Sequence, residues 1–173
     1  KGVDVLLQAL ACLTTHFECL IFGDGNYRAH CKRLAYSLGL SSRVQFEGYV
    51  APEIIALHYR DASIAAMSSV WPEPFGAAGL EGMRYGLPVV AFDSGGIKEW
   101  LTDGVNGFLV PWMNHLRYAE CLERLLTDKN LARRMGERAR QTITENFSFA
   151  RYIDGLENLF ARLTARSAPV VLT

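Results

Sequence analysis

The chain has 173 residues, 50% of them hydrophobic, which suits one compact domain with a sizeable core. Its 18 basic and 18 acidic residues balance, so the charge does not point to a nucleic acid or an anionic membrane as partner. No apolar run is long enough to cross a bilayer.

The first residues, KGVDVLLQAL, enter a helical pattern at once and without a leader, which predicts that the chain is a piece of a longer protein. Val5, Leu6, Ala9, Leu10 and Leu13 mark a helix with one apolar face. FECLIFG is a buried strand, closed by the turn GDGN. Tyr27, Cys31, Leu34, Ala35 and Leu38 repeat the helical spacing, and Gly39 ends that helix. RVQFEGYV is a strand, and APEIIALHYRDA a helix with Pro52 near its first turn. SIAAMSS is a strand, FGAAGLEGMRYG a helix ending at Gly86, and PVVAF a strand. GGIKEWLTDG is a short helix with a turn, and GFLVP a last strand.

From Asn114 the pattern is helical only. Leu116, Ala119, Leu122, Leu125 and Leu126 line one helix, and Leu131, Met135, Ala139, Thr142 and Ile143 the next. The arginines of that second helix fall mostly on its opposite face, the pattern of a solvated surface. FARYIDGLENLFARLTA is a final helix. Residues 1–165 thus form the domain, and residues 166–173, from Arg166 through SAPVVLT, read as a loose tail. Alternation of strands and helices demands a parallel sheet covered on both faces, since each right-handed crossover packs back onto it. The expected fold is α/β: a doubly wound, Rossmann-like parallel sheet with extra C-terminal helices. Such sheets bind ligands at the carboxyl ends of their strands.

Cys12, Cys19, Cys31 and Cys121 contain no CxxC pair. Cys12, His16 and Cys19 lie close together but lack a fourth ligand and a zinc-site spacing. Cys12 reads as part of an apolar helix stripe and Cys19 as part of an apolar run, so reduced thiols in an intracellular protein are the simpler account. His16, His30, His58 and His115 have no triad context and read as ordinary surface or core residues.

The chemistry concentrates in SSVWPEPFGAAGLEG, residues 68–82. A strand ends near Ser68, a loop carries Glu73, and a helix begins near Phe75 or Gly76. A helix start leaves N–H groups unpaired, and with the helix dipole they form an anion site. Gly76, Ala77, Ala78 and Gly79 are small enough for a phosphate to meet the backbone. Glu81 lies about five residues into the helix, roughly 7.5 Å along its axis, about the distance from a diphosphate to its ribose. A carboxylate there can accept from both ribose hydroxyls. Glu73 lies on the other side of the anion site, where a sugar beyond the diphosphate would sit. Two carboxylates also suit a glycosidase, but a helix start between them argues for phosphate. GDGNYR is a weak dinucleotide signal, because Arg28 stands where a third glycine would be. Trp71 and Trp112 flank loops at the expected cleft edge and read as loop packing, and Trp100 as core.

Several segments occur in a familiar order: the Lys1-Gly2 pair, GDG, VQFEGYV, PEPFGAAGLEGMRYGLPVVAFDSGGIKEW and DGVNGFLVP. From Lys1 to about Leu163 the chain resembles the nucleotide-binding C-terminal domain of GT-B glycosyltransferases of retaining family 4, the glycosyl transferases group 1. The mark is Glu73 and Glu81 with seven residues between, framed by Phe75-Gly76, Gly86-x-Pro88-Val89-Val90 and Gly95-Gly96-x-x-Glu99. The resemblance implies that Glu81 holds the donor ribose and Glu73 lies against the donor sugar. It implies that Phe75, Gly76, Ala77 and Ala78 meet sugar and diphosphate through their backbone, and that Lys1 neutralises the diphosphate. Gly48, Tyr49 and Val50 match the strand end where the base docks, and Gly23 and Gly25 the glycine turn lining the cleft. Gly96 and Glu99 read as structural.

The resemblance implies a UDP- or GDP-sugar as ligand, with no metal and no cofactor, and no DxD-like carboxylate pair is present to hold a metal. The resemblance further implies transfer of a hexosyl group to a glycan or lipid-linked acceptor, in bacterial polysaccharide or lipid-linked glycan synthesis. The acceptor would be bound by an N-terminal Rossmann-like domain that this chain does not contain, so the fragment alone is expected to be inactive. The family's basic residue one strand before Lys1 is also outside the chain. Gly82 stands where alanine is common and is expected to loosen its helix slightly. The implied location is cytoplasmic, with any contact at the inner membrane face made by the longer protein. A nucleotide-sugar epimerase of the same two-domain plan and a non-catalytic donor-binding module are the alternative functions.

Overall fold

A computed structural model describes residues 1–165; the expected tail lies outside the described residues. Five strands are present, β1 (Cys19–Phe22), β2 (Val44–Gly48), β3 (Ala65–Met67), β4 (Val89–Phe92) and β5 (Gly107–Val110). Between and after them come α1 (Val3–Ala11), α2 (Arg28–Ser37), α3 (Pro52–Asp61), α4 (Ala77–Arg84), α5 (His115–Thr127), α6 (Lys129–Asn146) and α7 (Phe149–Ala165). The segment after β4 is a 3-10 turn, Gly95–Glu99. Every predicted element occurs, and all strand pairings are parallel, as crossover connections require.

The strands hydrogen-bond in two groups, β1–β2 and β3–β4–β5. One hydrophobic core joins them. Val5, Leu6 and Leu10 of α1 and Cys31 and Ala35 of α2 share it with Val90, Phe92, Phe108, Tyr118 and Leu122. A second core on the other face gathers Met83 of α4, Val89, Ala91, Ile97, Trp100, Leu101 and Ala139 of α6. Helices therefore cover both faces, and the layers are those of a doubly wound α/β domain.

Several burial expectations change. Only β4 is buried along its whole length, whereas β1 and β3 are partly exposed. Near β1, α3 buries no residue: its His58 ring meets Phe22 at 5.1 Å between centroids, but Ile54 and Leu57 stay exposed. On α5 the buried stripe is Tyr118, Cys121, Leu122 and Leu125, and Leu116 is 58% exposed. Two residues apart on a helix is about 200°, so a face centred on Tyr118 turns Leu116 to solvent. The Tyr118 hydroxyl donates to the Val90 carbonyl at 2.6 Å, which satisfies the buried O–H. All four cysteines are free, and Cys12 is exposed just past the end of α1 rather than on its apolar stripe.

Gly82 has a packing reason. A Cβ on it would lie 2.7 Å from the Ala65 Cβ of β3, so α4 rests on the strand only because position 82 has no side chain. Alanine there would gain helix propensity of about 1 kcal/mol but force overpacking that costs about 1–3 kcal/mol. Gly82→Ala is therefore expected to lower stability by about 1 kcal/mol net in urea unfolding, whereas a glycine placed only by default would give a more stable variant.

Candidate functional site

Residues 68–76 cross the carboxyl edge of the sheet between β3 and α4. Gly76 caps α4 in a left-handed conformation, φ 78°, and no side chain caps the helix. The first-turn N–H groups, on exposed Ala77 and Ala78, are left without intrahelical acceptors. The loop is held from below. The Trp100 indole N–H donates to the Phe75 carbonyl at 2.6 Å, and a Cβ on Gly76 would lie 2.4 Å from Ile97 Cδ1. Trp100, 2% exposed, is core as expected and is also the floor of this helix start.

Glu73 is buried, 8% exposed, beside that start. Its carboxylate accepts hydrogen bonds from the Lys1 ammonium and, at 2.7 Å, from the Ser69 hydroxyl. Its backbone carbonyl accepts from the Gly96 N–H at 2.7 Å, and a Cβ on Gly95 would lie 2.2 Å from that same oxygen. Burial pushes the Glu73 carboxyl up, but the donors Lys1 and Ser69 and the Lys1 charge outweigh it and hold the group below the usual carboxylate range. Glu73 is thus an anion at neutral pH, suited to accepting hydrogen bonds and not to donating a proton.

Glu81 has the opposite setting. It is exposed on α4, one turn into the helix. Tyr59 of α3 and Tyr85 stack beside it, 5.5 Å between ring centroids, and the Tyr59 hydroxyl donates to the Ala78 carbonyl at 3.4 Å. Burial first, and then the Glu81 charge, push the Tyr59 hydroxyl up. Glu81 therefore lies where α3 and α4 meet, beside the Tyr59–Tyr85 pair.

The other expected site residues lie at the ends of β1 and β2. The Gly23 N–H donates to the Gly48 carbonyl at 2.7 Å. Gly25 follows in the same loop, and Tyr49 stands 83% exposed with Val50 half-buried behind it. The structure thus brings Lys1, Glu73, Phe75, Gly76, Ala77 and Ala78 together at the end of β3, and Gly23, Gly25, Gly48, Tyr49 and Val50 together at the ends of β1 and β2. Both cleft-edge tryptophans are 59% exposed rather than packed: Trp112 donates from its indole N–H to the Val70 carbonyl at 3.1 Å, and the backbone carbonyl of Trp71 accepts from the Ser94 hydroxyl. Gly96 supports Glu73, in keeping with a structural role. Ser69 was not anticipated: a serine in a loop of small polar residues carries no signal that it faces a carboxylate.

Comparison with known proteins identifies the class. The profile of the glycosyl transferases group 1 matches residues 1–142, and the chain belongs to that family. It is 32% identical to the lipopolysaccharide core biosynthesis glycosyltransferase LpsE of Rhizobium meliloti, over 93% of this chain and 46% of that protein. It is 38% identical to the D-inositol 3-phosphate glycosyltransferase of Nocardia farcinica, over 90% of this chain and 36% of that protein. The chain therefore spans less than half the length of these curated relatives. Its fold matches that of Anabaena HepE, solved with UDP and glucose, at TM-score 0.87 and 27% identity, over 94% of this chain and 45% of that one. A Rickettsia africae glycosyltransferase matches at TM-score 0.88 and 29% identity, over 96% and 45%. The fold is that of the GT-B glycosyltransferase domains.

The Lys1–Glu73–Ser69 cluster predicts a pH dependence. A carboxyl held low in the folded state adds stability above its unfolded pKa and loses it as pH falls through its folded value. The stability advantage of the parent over Glu73→Gln is therefore expected to be constant near neutral pH and to vanish on acidification, as read by urea unfolding between about pH 7 and about pH 3. Ser69→Ala should move that loss to higher pH. An advantage that does not change with pH would contradict the ion pair.

Proposed function

We propose that this chain is the donor-binding domain, residues 1–165, of a retaining family 4 glycosyltransferase that moves a hexosyl group from a UDP- or GDP-sugar to a glycan or lipid-linked acceptor. The observation that carries the reading is the uncapped start of α4 with buried, anionic Glu73 on one side and exposed Glu81 one turn along on the other. A diphosphate fits that start, because unpaired N–H groups and the helix dipole favour an anion there. Glu81 then accepts from the ribose hydroxyls, and Glu73 accepts from the donor sugar. The likeness to HepE, solved with UDP and glucose, supports a ligand of this shape.

A nucleoside diphosphate leaves without a proton, so the reaction needs charge stabilisation more than a general acid. In this reading the start of α4 and Lys1 supply it in place of a metal. Lys1 is paired with Glu73 in the structure. An arriving diphosphate shares that cation, and Glu73 keeps its Ser69 donor while it turns to the sugar hydroxyls. The acceptor is bound by the rest of the longer protein, which works in the cytoplasm and touches the inner membrane face peripherally. Among the described residues no helix is long and apolar enough to cross a membrane.

Calorimetric titration with UDP, GDP, ADP and NAD tests the reading. One nucleoside diphosphate is expected to bind, and Glu81→Ala to weaken it by about 1–3 kcal/mol, because the ribose hydroxyls lose their acceptor. Unchanged affinity in Glu81→Ala removes the ribose role. Glu73→Ala is expected to spare the nucleoside diphosphate and weaken the intact sugar donor. Equal losses for the two ligands remove the sugar role.

A further inference from the structure

The carboxyl ends of β1 and β2 are tied together by one side chain. Arg28, the first residue of α2, donates from Nη2 to the Phe46 carbonyl of β2 at 2.9 Å. Through Nη1 it pairs with Asp24 of the glycine loop after β1, at 3.5 Å. Its guanidinium lies directly behind Gly48, where a Cβ would come within 3.2 Å of Nη2. Gly48 is left-handed, φ 74°, and its carbonyl accepts the Gly23 N–H. The pairing of β1 with β2 slips between Ile21 and Phe22, so that Phe22 faces Gly48 and skips Glu47. Arg28 spans that irregularity and fixes both sides of it.

One group of this arginine works against stability. The Nε of Arg28 is buried, and among the described residues it has no hydrogen-bond partner. A buried N–H without an acceptor is unfavourable. Methionine would avoid that penalty but would leave the Phe46 carbonyl and the Asp24 carboxylate without this donor. What arginine adds is a planar fork that reaches two acceptors in fixed directions. One acceptor lies in β2, two residues before Gly48, and the other in the glycine loop after β1.

We infer that Arg28 is a positioning residue that sets the base-recognising end of the donor cleft. It holds Gly48, Tyr49 and Val50 in one backbone conformation, so that their N–H and C=O groups discriminate between bases. The inference rests on the donor-binding reading above. The path is continuous: α3 begins at Pro52, directly after this turn, and carries Tyr59 beside Glu81. In the donor-binding reading, a nucleotide on the start of α4 with its ribose at Glu81 directs its base along α3 toward the turn that Arg28 braces. A backbone that samples several conformations discriminates poorly, because part of the binding free energy goes into ordering it.

The test compares parent, Arg28→Lys and Arg28→Met in the full-length protein, with UDP, GDP and inorganic diphosphate as probes. Diphosphate reaches only the start of α4, whereas the nucleotides also reach the braced turn. Arg28→Met is expected to weaken the preferred nucleoside diphosphate about tenfold and to narrow its preference over the other base, with diphosphate affinity unchanged. Arg28→Lys, which can reach one acceptor but not fork to both, should fall between. Amide hydrogen exchange at Gly23, whose N–H donates to the Gly48 carbonyl, should speed up in Arg28→Met, with Gly79, whose N–H donates to the Gly76 carbonyl, unaffected. Parallel losses for diphosphate and nucleotide, as a general loosening would give, overturn the role, and so does unchanged base preference. A parent protein that binds no nucleoside diphosphate overturns the donor reading itself and the Arg28 role with it.

Discussion

A carboxylate buried at the carboxyl edge of a sheet must be paired, and the site is built around that requirement. Glu73 loses most of its hydration, and an unpaired anion there would be strongly unfavourable. Lys1 and Ser69 supply the donors, and Gly96 binds the backbone of the same residue. Gly95 leaves room for it, since any side chain at that position would strike the Glu73 carbonyl. The start of α1, the loop after β3 and the 3-10 turn after β4 therefore converge on one residue. Moving the start of α1 or the loop after β3 would leave a buried charge short of a partner, and moving the turn would release the backbone that carries it.

The start of α4 depends on the same convergence. Gly76 turns left-handed onto Ile97, and the Phe75 carbonyl is held by Trp100, both from the turn that supports Glu73. A Cβ on Gly79 would overlap the Trp100 ring at 2.2 Å, so the first turn of α4 lies flat on that indole. The helix start is rigid because it is packed from below, and open because nothing caps it from above. That combination suits an anion site, whose donors must be fixed before the ligand arrives. The sheet carries it at the carboxyl edge, where crossover topology gathers loops from several strands.

Much of this was legible in the sequence because it rests on periodicity. Strands and helices alternate with clear spacing, and glycine and proline punctuate them, so the element order, the α/β class and the position of α4 follow from the residues. The pair Glu73 and Glu81 around a small-residue helix start was legible as well. What was not legible depends on contacts between distant segments. Lys1 and Glu73 are 72 positions apart, and no local pattern joins them. Leu116 scores as core on spacing, but the packed face of α5 is chosen by where the Tyr118 hydroxyl meets Val90. Gly82 looks like a weak helix residue until Ala65 is seen against it. Arg28 reads only as a missing third glycine, although it braces the turn at Gly48. That α3 buries none of its residues is likewise not announced by its mixed sequence.

The central claim is that a nucleoside diphosphate lies on the open start of α4, with its ribose at Glu81 and its base toward the end of β2. Backbone amide NMR during titration with UDP and GDP tests this most directly, because each amide reports its own surroundings. The account predicts that one of the two nucleotides shifts the amides of Phe75–Gly79 and those of Gly48–Val50 together, at a common affinity. Shifts confined to another face of the domain, or shifts at the start of α4 that leave Gly48–Val50 untouched, would contradict it.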